Sequence, residues 1–441
     1  MGNYFKMSNK VRDETSTIEL LGSNIVFTRY LYLKDEVKLA LLVSLLKKSD
    51  DAIFWAYELY YSGFKVELFE FIWNVYYLFY ATLNPSFEAY LLNKKNEMLK
   101  DEKLVSAIVQ DLIIRPFNTD VFFLNVICKT FEIECKYKVN NEYDFIDAEE
   151  CKSNSLNKKI KKTNKIKCML YTSELYEQLM FWIDAHDYRS IAQFILNDKN
   201  VKNTKTPNHN LNPMFTNEYI YGQAIDVFIS NFAGQKLAKK RLLKEFNSGE
   251  KSDIVLLAKI MTLFSIKEKL IKGKNFYITI SPEEIVQYET ILPTDELRVY
   301  RILQNACICG IDDLKHLSLF KLERDKLNKL GVNLIDLYNN KWLYQASFSP
   351  LWFDRIKSHK GYVDYINQKV EFVDEELQQA FFVKYGYEPD EQPTNVKERS
   401  IMVIEKVNNW SVFYNTYNKN SLFKMDEEEL EELNEDRIQI N

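Results

Sequence analysis

The chain has 441 residues, of which 46% are hydrophobic and 27% charged, with a formal net charge of -5. That size allows two or three ordinary globular domains, and a charge so close to neutral creates no global field that would draw the chain to nucleic acid or a membrane. Only 11 Gly and 9 Pro are present. These residues build tight turns and phosphate-cradling loops, so their scarcity favours helices with short polar connections. The high content of Tyr and Phe, 28 and 29, matches what an AT-rich genome encodes.

The N-terminal residues Met1–Lys10 have no long apolar core, so no signal peptide is expected. Lys6 stands where a myristoylation motif at Gly2 needs Ser or Thr. Residues 1–34 mix a polar start with a strand-like patch at 24–28. The first helix starts at Asp35, with Val37, Ala40, Leu41, Ser44 and Leu45 on one face at three-four spacing. Ser49 or Asp50 is the expected cap of a second helix over 51–62, and Gly63 its left-handed stop. That helix is apolar nearly all round, which predicts cover on more than one side, with Trp55 and Trp73 as anchors of the stretch 35–83.

A third helix is expected over 65–82. Its apolar run is broken by Lys65, Glu67, Glu70 and Asn74 and falls short of the ~20 residues of a membrane span. Asn84-Pro85 reads as a cap followed by Pro at the first helical position. Asp101 opens a helix with Leu104, Val105, Ile108, Val109, Leu112 and Ile113 on one face, stopped by Pro116. Another begins at Asp120 and runs to about Cys135. Residues 138–168 turn from acidic to basic, ending in Lys158, Lys159, Lys161, Lys162, Lys165 and Lys167, as a linker or mobile loop would.

Two helices are expected at 173–185 and 188–196, then a polar loop to Asn217, a long amphipathic helix over 218–246 and another over 253–272. Residues 276–280 read as a short strand. Ser281-Pro282-Glu283-Glu284 is a full helix-start signal, and a further helix is expected from Thr294 or Asp295 to Gly310. Beyond it the pattern is less regular, with a short strand at 369–372 and a helix near 374–384. The acidic stretch 426–436, set around Leu430 and Leu433, reads as a solvated tail or as a weak amphipathic helix that folds on a partner. The expected fold is mainly α: a multi-helix array or bundle with a less regular C-terminal region containing a few short strands. The expected divisions are an N-terminal helical domain (1–137), the charged linker (138–168), a central helical domain (169–310), a mixed region (311–424) and the acidic tail (425–441).

Candidate chemistry is sparse. No P-loop, GxGxxG, GxSxG, HExxH or kinase motif set can be built from these residues. The six Cys (Cys128, Cys135, Cys151, Cys168, Cys307 and Cys309) include no CxxC pair, and the four His lack ligand spacing, so neither a metal nor a cofactor is expected. Free thiols in a reducing, cytoplasmic setting are the expectation. His186 lies between Asp184 and Asp187, as a tuned acid or base could or as a surface His at a helix end would. Glu58 is the one acid inside the second helix beyond its first turn, and is read as paired with a Lys or Arg or as facing solvent. Glu388, Asp390 and Glu391 crowd a turn that either exposes solvated acids or docks a basic partner segment. On a helix, Lys236, Lys240, Arg241 and Lys244 form a cationic stripe, the residue type and pattern that phosphate backbones need; Glu245 weakens it slightly.

Two segments, Asp50–Gly63 (DDAIFWAYELYYSG) and Tyr387–Pro393 (YEPDEQP), resemble parts of uncharacterised proteins encoded by giant nucleocytoplasmic DNA viruses. The resemblance implies a viral origin and a virion or replication-factory location, and no activity. Asp51-Ala52, Trp55-Ala56, Leu59 and Gly63 also resemble a collar-domain helix of clamp-loader-like AAA+ proteins; without ATPase motifs no ATPase role carries over. The resulting expectation is a non-enzymatic helical interaction or scaffold protein in a viral assembly or replication complex, with other proteins as partners and no membrane. The alternative is a nucleic-acid-binding accessory factor that uses the basic helix at 236–244.

Overall fold

The computed structural model describes residues 26–29, 34–130, 174–193, 236–246, 252–265, 341–385 and 410–431, with single or paired residues at 281, 283, 285–286, 302–303, 401–402 and 433. The fold is mainly helical, with a short antiparallel two-stranded sheet in the C-terminal region. Among the described residues no helix is long and apolar enough to cross a membrane.

The N-terminal bundle is built from α1 (Lys34–Lys47), α2 (Asp51–Tyr61), α3 (Lys65–Val75), α4 (Phe87–Met98), α5 (Lys103–Ile114) and α6 (Asp120–Thr130). Lys48 takes a left-handed conformation (φ 58°) that ends α1, and Ser49 Oγ accepts the Asp51 amide at 3.3 Å to start α2. Asp50 makes no side-chain cap bond. Gly63 at φ 94° turns the chain out of α2, with the Phe64 amide returning to the Leu59 carbonyl at 3.1 Å. α2 is buried on all sides: Ala52, Ile53, Trp55, Tyr57, Leu59 and Tyr60 are all in the core. α1 and α5 both pack against it.

α3 runs directly into a π-helical turn, Tyr76–Tyr80, in which the Ala81 amide reaches the Tyr76 carbonyl five residues back. All five residues of this turn are buried. The helix expected at Asn84-Pro85 begins only at Phe87. Asn84 is fully buried, and its amide donates to the carbonyls of Tyr80 (2.9 Å) and Pro116 (2.7 Å). Those bonds hold it as a brace between two chain segments and prevent it from capping α4. Asp101 does cap α5, accepting the Lys103 amide at 3.0 Å.

α7 (Glu174–Ala185), α8 (Lys236–Phe246) and α9 (Asp253–Phe264) follow. α9 packs on α6 and on the π turn, and α8 packs on α9. The helix expected over 253–272 is broken at Ser265, whose backbone is extended. The helix expected between Thr294 and Gly310 is also corrected: Ile302–Leu303 is a strand, β1. It pairs in parallel with Ile401–Met402, which lies 99 residues later in the chain and is numbered β4 below. Short-range start and stop signals carry no information about such a distant partner. The expected strand at 276–280 and the charged segment 138–168 lie outside the described residues.

The C-terminal region holds α10 (Trp342–Ala346), α11 (Pro350–Ser358), the hairpin β2 (Gly361–Asp364) and β3 (Lys369–Phe372), α12 (Glu375–Tyr385), β4 (Ile401–Met402) and α13 (Trp410–Tyr417). Val363 faces Val370 across the hairpin, and β3 packs on α10 and α12. Trp352 is fully buried and donates from Nε1 to the Thr28 carbonyl at 3.0 Å. Ser349 Oγ donates to the Ser62 carbonyl at 3.1 Å. These bonds tie the C-terminal region to the segment before α1 and to the end of α2, and one hydrophobic core spans it and the N-terminal bundle.

Residues 410–433 also dock on the N-terminal bundle. Phe413 packs its ring against Phe122 and Phe123 of α6. Asp120 accepts the Phe423 amide at 2.9 Å, and Thr119 bonds to Ser421 and Asn418. In the acidic stretch, Leu430 and Leu433 are buried, Asp426 caps the Glu429 amide at 2.8 Å, and Glu429 pairs with Arg189. The described part of this stretch is therefore folded onto its own chain and is not a solvated tail.

Candidate functional site

A charged crevice lies where α8 and α9 meet the π turn and α4. Glu88, in the first turn of α4, accepts the Tyr77 hydroxyl at 2.7 Å and Lys259 Nζ at 3.0 Å. Arg241 Nε lies 4.0 Å from the same carboxylate. Lys259 is shared with Glu245 at 3.7 Å. The π turn is what brings Tyr76 and Tyr77 to this wall, since its wider winding shifts the side chains relative to an α-helix. Burial, and then the Glu88 charge, hold the Tyr77 hydroxyl far above its ordinary pKa. Burial does the same at Tyr76.

A narrow crevice runs between Tyr76, Tyr77, Glu88, Arg241, Lys259 and Thr262. Its lining holds one acid, Glu88, and two cations, Arg241 and Lys259, with Glu245 drawn to Lys259 beside it, so each carboxylate already has a cation partner. The arrangement clamps α8 and α9 to the bundle, with the partly buried pairs screened less by salt than surface ones.

That clamp splits the expected cationic stripe. Arg241 turns inward to Glu88, while Lys236, Lys240 and Lys244 are exposed. Glu245, expected to weaken the stripe, is drawn to Lys259. Among the described residues Lys236, Lys240 and Lys244 have no ion-pair partner. Glu388, Asp390 and Glu391 lie outside the described residues, as do the lysines of 158–167.

Glu58 is fully buried and pairs with Arg29 Nε at 2.8 Å. The partner comes from the turn preceding α1, 29 residues away. His186 has a left-handed backbone (φ 56°) just past the C-terminus of α7 and packs edge-on to Tyr188. Asp187 is occupied in starting the next helical turn, accepting the Ser190 amide at 3.0 Å and its hydroxyl at 2.6 Å. The His-between-acids arrangement is thus a helix end and the start of the next helix. Among the described residues no three His, Cys, Asp or Glu side chains gather as a metal site would require. Cys128 is a free thiol, pushed up to about 12 by burial.

The sequence reading missed Glu88, Lys259, Asp111 and Asp120. Asp111 did carry a signal: it falls three residues after Ile108, on the face assigned to the core, and it is fully buried. Burial pushes its carboxyl up to about 7 against the pull of Arg115, 3.6 Å away.

The hairpin unit presents a different surface. Asp364 accepts the amides of Ile366 and Asn367, both at 3.0 Å, and so fixes the turn. Ile366 at its tip is 91% exposed, and Val373 and Val383 are also exposed. No family model, no curated protein and no solved structure matches this chain.

Proposed function

We propose that the protein is a helical interaction or scaffold protein without catalytic activity of its own, working through protein partners. The observation that carries this reading is the hairpin tip. A turn held by the Asp364 carboxylate keeps Ile366 in solvent, on a unit that Trp352 and Ser349 anchor to the N-terminal bundle. A rigid support under an exposed aliphatic side chain lowers the ordering cost of docking, and burying that side chain on a partner contributes roughly 1.5–3 kcal/mol. Val373 and Val383 are further exposed aliphatic side chains of the same unit. Support for a viral assembly or replication complex as the setting comes from the two sequence segments alone.

The test compares proteins crosslinked in cells to the intact chain and to an Ile366→Asp/Val383→Asp variant. A defined set of partners lost from the variant, at unchanged thermal stability, supports the reading. The same set recovered with both chains, or none with either, overturns it.

A further inference from the structure

We propose that the outer face of α8 is a docking site for the phosphate backbone of a nucleic acid, bound without sequence preference. Lys236, Lys240 and Lys244 recur every fourth residue and are all exposed. At 1.5 Å per residue they stand about 6 Å apart along one line. The helix contains a single acid, Glu245, and Lys259 draws it inward at 3.7 Å. The three ammonium groups therefore face solvent with no acid partner among the described residues. They form a local cationic line on a chain of net charge -5, so this face attracts a polyanion through its local charge and not through a global field.

The chemistry of the line selects among polyanions. Its cations are lysines, compact point charges that suit phosphate oxygens from many angles. The one arginine of the helix, better shaped for bidentate carboxylate recognition, is turned toward Glu88. An acidic peptide is thus less well matched than a phosphate chain. A membrane surface would need an apolar face on the same helix. The apolar face of α8 is already covered: Leu242 is fully buried and the helix packs on α9. Among the described side chains of α8, Leu237 is the one large apolar group exposed beside the lysines. No Asn, Gln or Arg on the exposed line is placed to read base edges, the groups that give sequence specificity.

The test is fluorescence anisotropy of the full chain with a labelled mixed-sequence 20-base-pair duplex, titrated from 20 to 200 mM salt. Three phosphate contacts predict a slope of log K against log salt of about -2.7. Combined Lys236→Glu, Lys240→Glu and Lys244→Glu changes are expected to weaken binding at least tenfold and to bring the slope close to zero. The thermal melt should be unchanged, because these side chains are exposed. A Lys-to-Gln triple variant should bind with intermediate affinity. No duplex binding by the unaltered chain at 20 mM salt overturns the proposal, as does equal binding by the charge-reversed variant. Polyglutamate or phosphatidylserine vesicles binding more tightly than the duplex would overturn it in favour of an acidic protein or a membrane.

Discussion

Arg29 Nε lies 2.8 Å from Glu58 Oε2, and both side chains are almost wholly excluded from solvent. The pair joins the turn before α1 to the centre of α2. Ser62 Oγ accepts the Arg29 amide at 2.7 Å, and the Arg29 guanidinium lies over the Tyr61 ring. Removing one charge leaves the other buried, which costs about 3–5 kcal/mol. Glu58→Gln and Arg29→Met are each expected to lose that much in urea unfolding. The double variant should lose clearly less than the sum of the two, and strict additivity would show that the two charges do not interact.

Trp55 and Trp73, both expected as anchors, differ in burial. Trp55 is 5% exposed, whereas Trp73 is half-buried and stacks on Phe69 with its edge to Tyr77. Trp55→Ala should therefore cost about 3–5 kcal/mol, and Trp73→Ala distinctly less. Chemical denaturation of the two variants side by side checks this, and equal losses would contradict the packing described.

Gly63 is constrained twice. Its φ of 94° is one that L side chains rarely adopt, and a Cβ there would stand 2.6 Å from Pro350 Cβ. Gly63→Ala should lose about 1–3 kcal/mol from backbone strain alone, with the clash against α11 adding to it. A melting temperature within error of the unaltered chain would mean that α11 can move away.

Asp111 makes stability depend on pH in a definite direction. Its carboxyl is held up to about 7 in the folded chain, against an ordinary 3.8, because burial outweighs the attraction of Arg115. Below the unfolded value both states hold the proton. As pH rises toward 7 the unfolded chain releases a proton that the folded chain keeps, so this contribution to stability is lost through that window. Asp120, pushed up to about 6 mainly by burial, acts in the same direction. Asp111→Asn should gain stability relative to the unaltered chain between pH 4.5 and 7.5. A difference between the two chains that stays constant with pH would refute the assignment.

Asp120 also holds the returning C-terminal segment through the Phe423 amide. Asp120→Ala should speed hydrogen exchange at Phe423 and its neighbours while α2 stays protected. Unchanged exchange at Phe423 would show that Thr119 and the aromatic packing of Phe413 hold the segment unaided.

The helical class, the positions of α1, α2, α5 and α12, the stop at Gly63 and the all-round burial of α2 are legible in the amino-acid order. Periodicity, caps and a left-handed glycine act within a few residues, so a short window contains them. The sequence left Glu58 either paired with a Lys or Arg or facing solvent. That Glu58 pairs with Arg29, that Asp120 binds a segment 303 residues away, and that Ile302 sits beside Ile401 emerge only from the packed fold. It also decided that Arg241 and Glu245 turn inward while three lysines of α8 face out. Those outcomes depend on which distant elements come to lie beside each other. A local pattern shows that a helix has two faces, but the neighbours that pack against it determine which charges are buried in ion pairs and which remain in water.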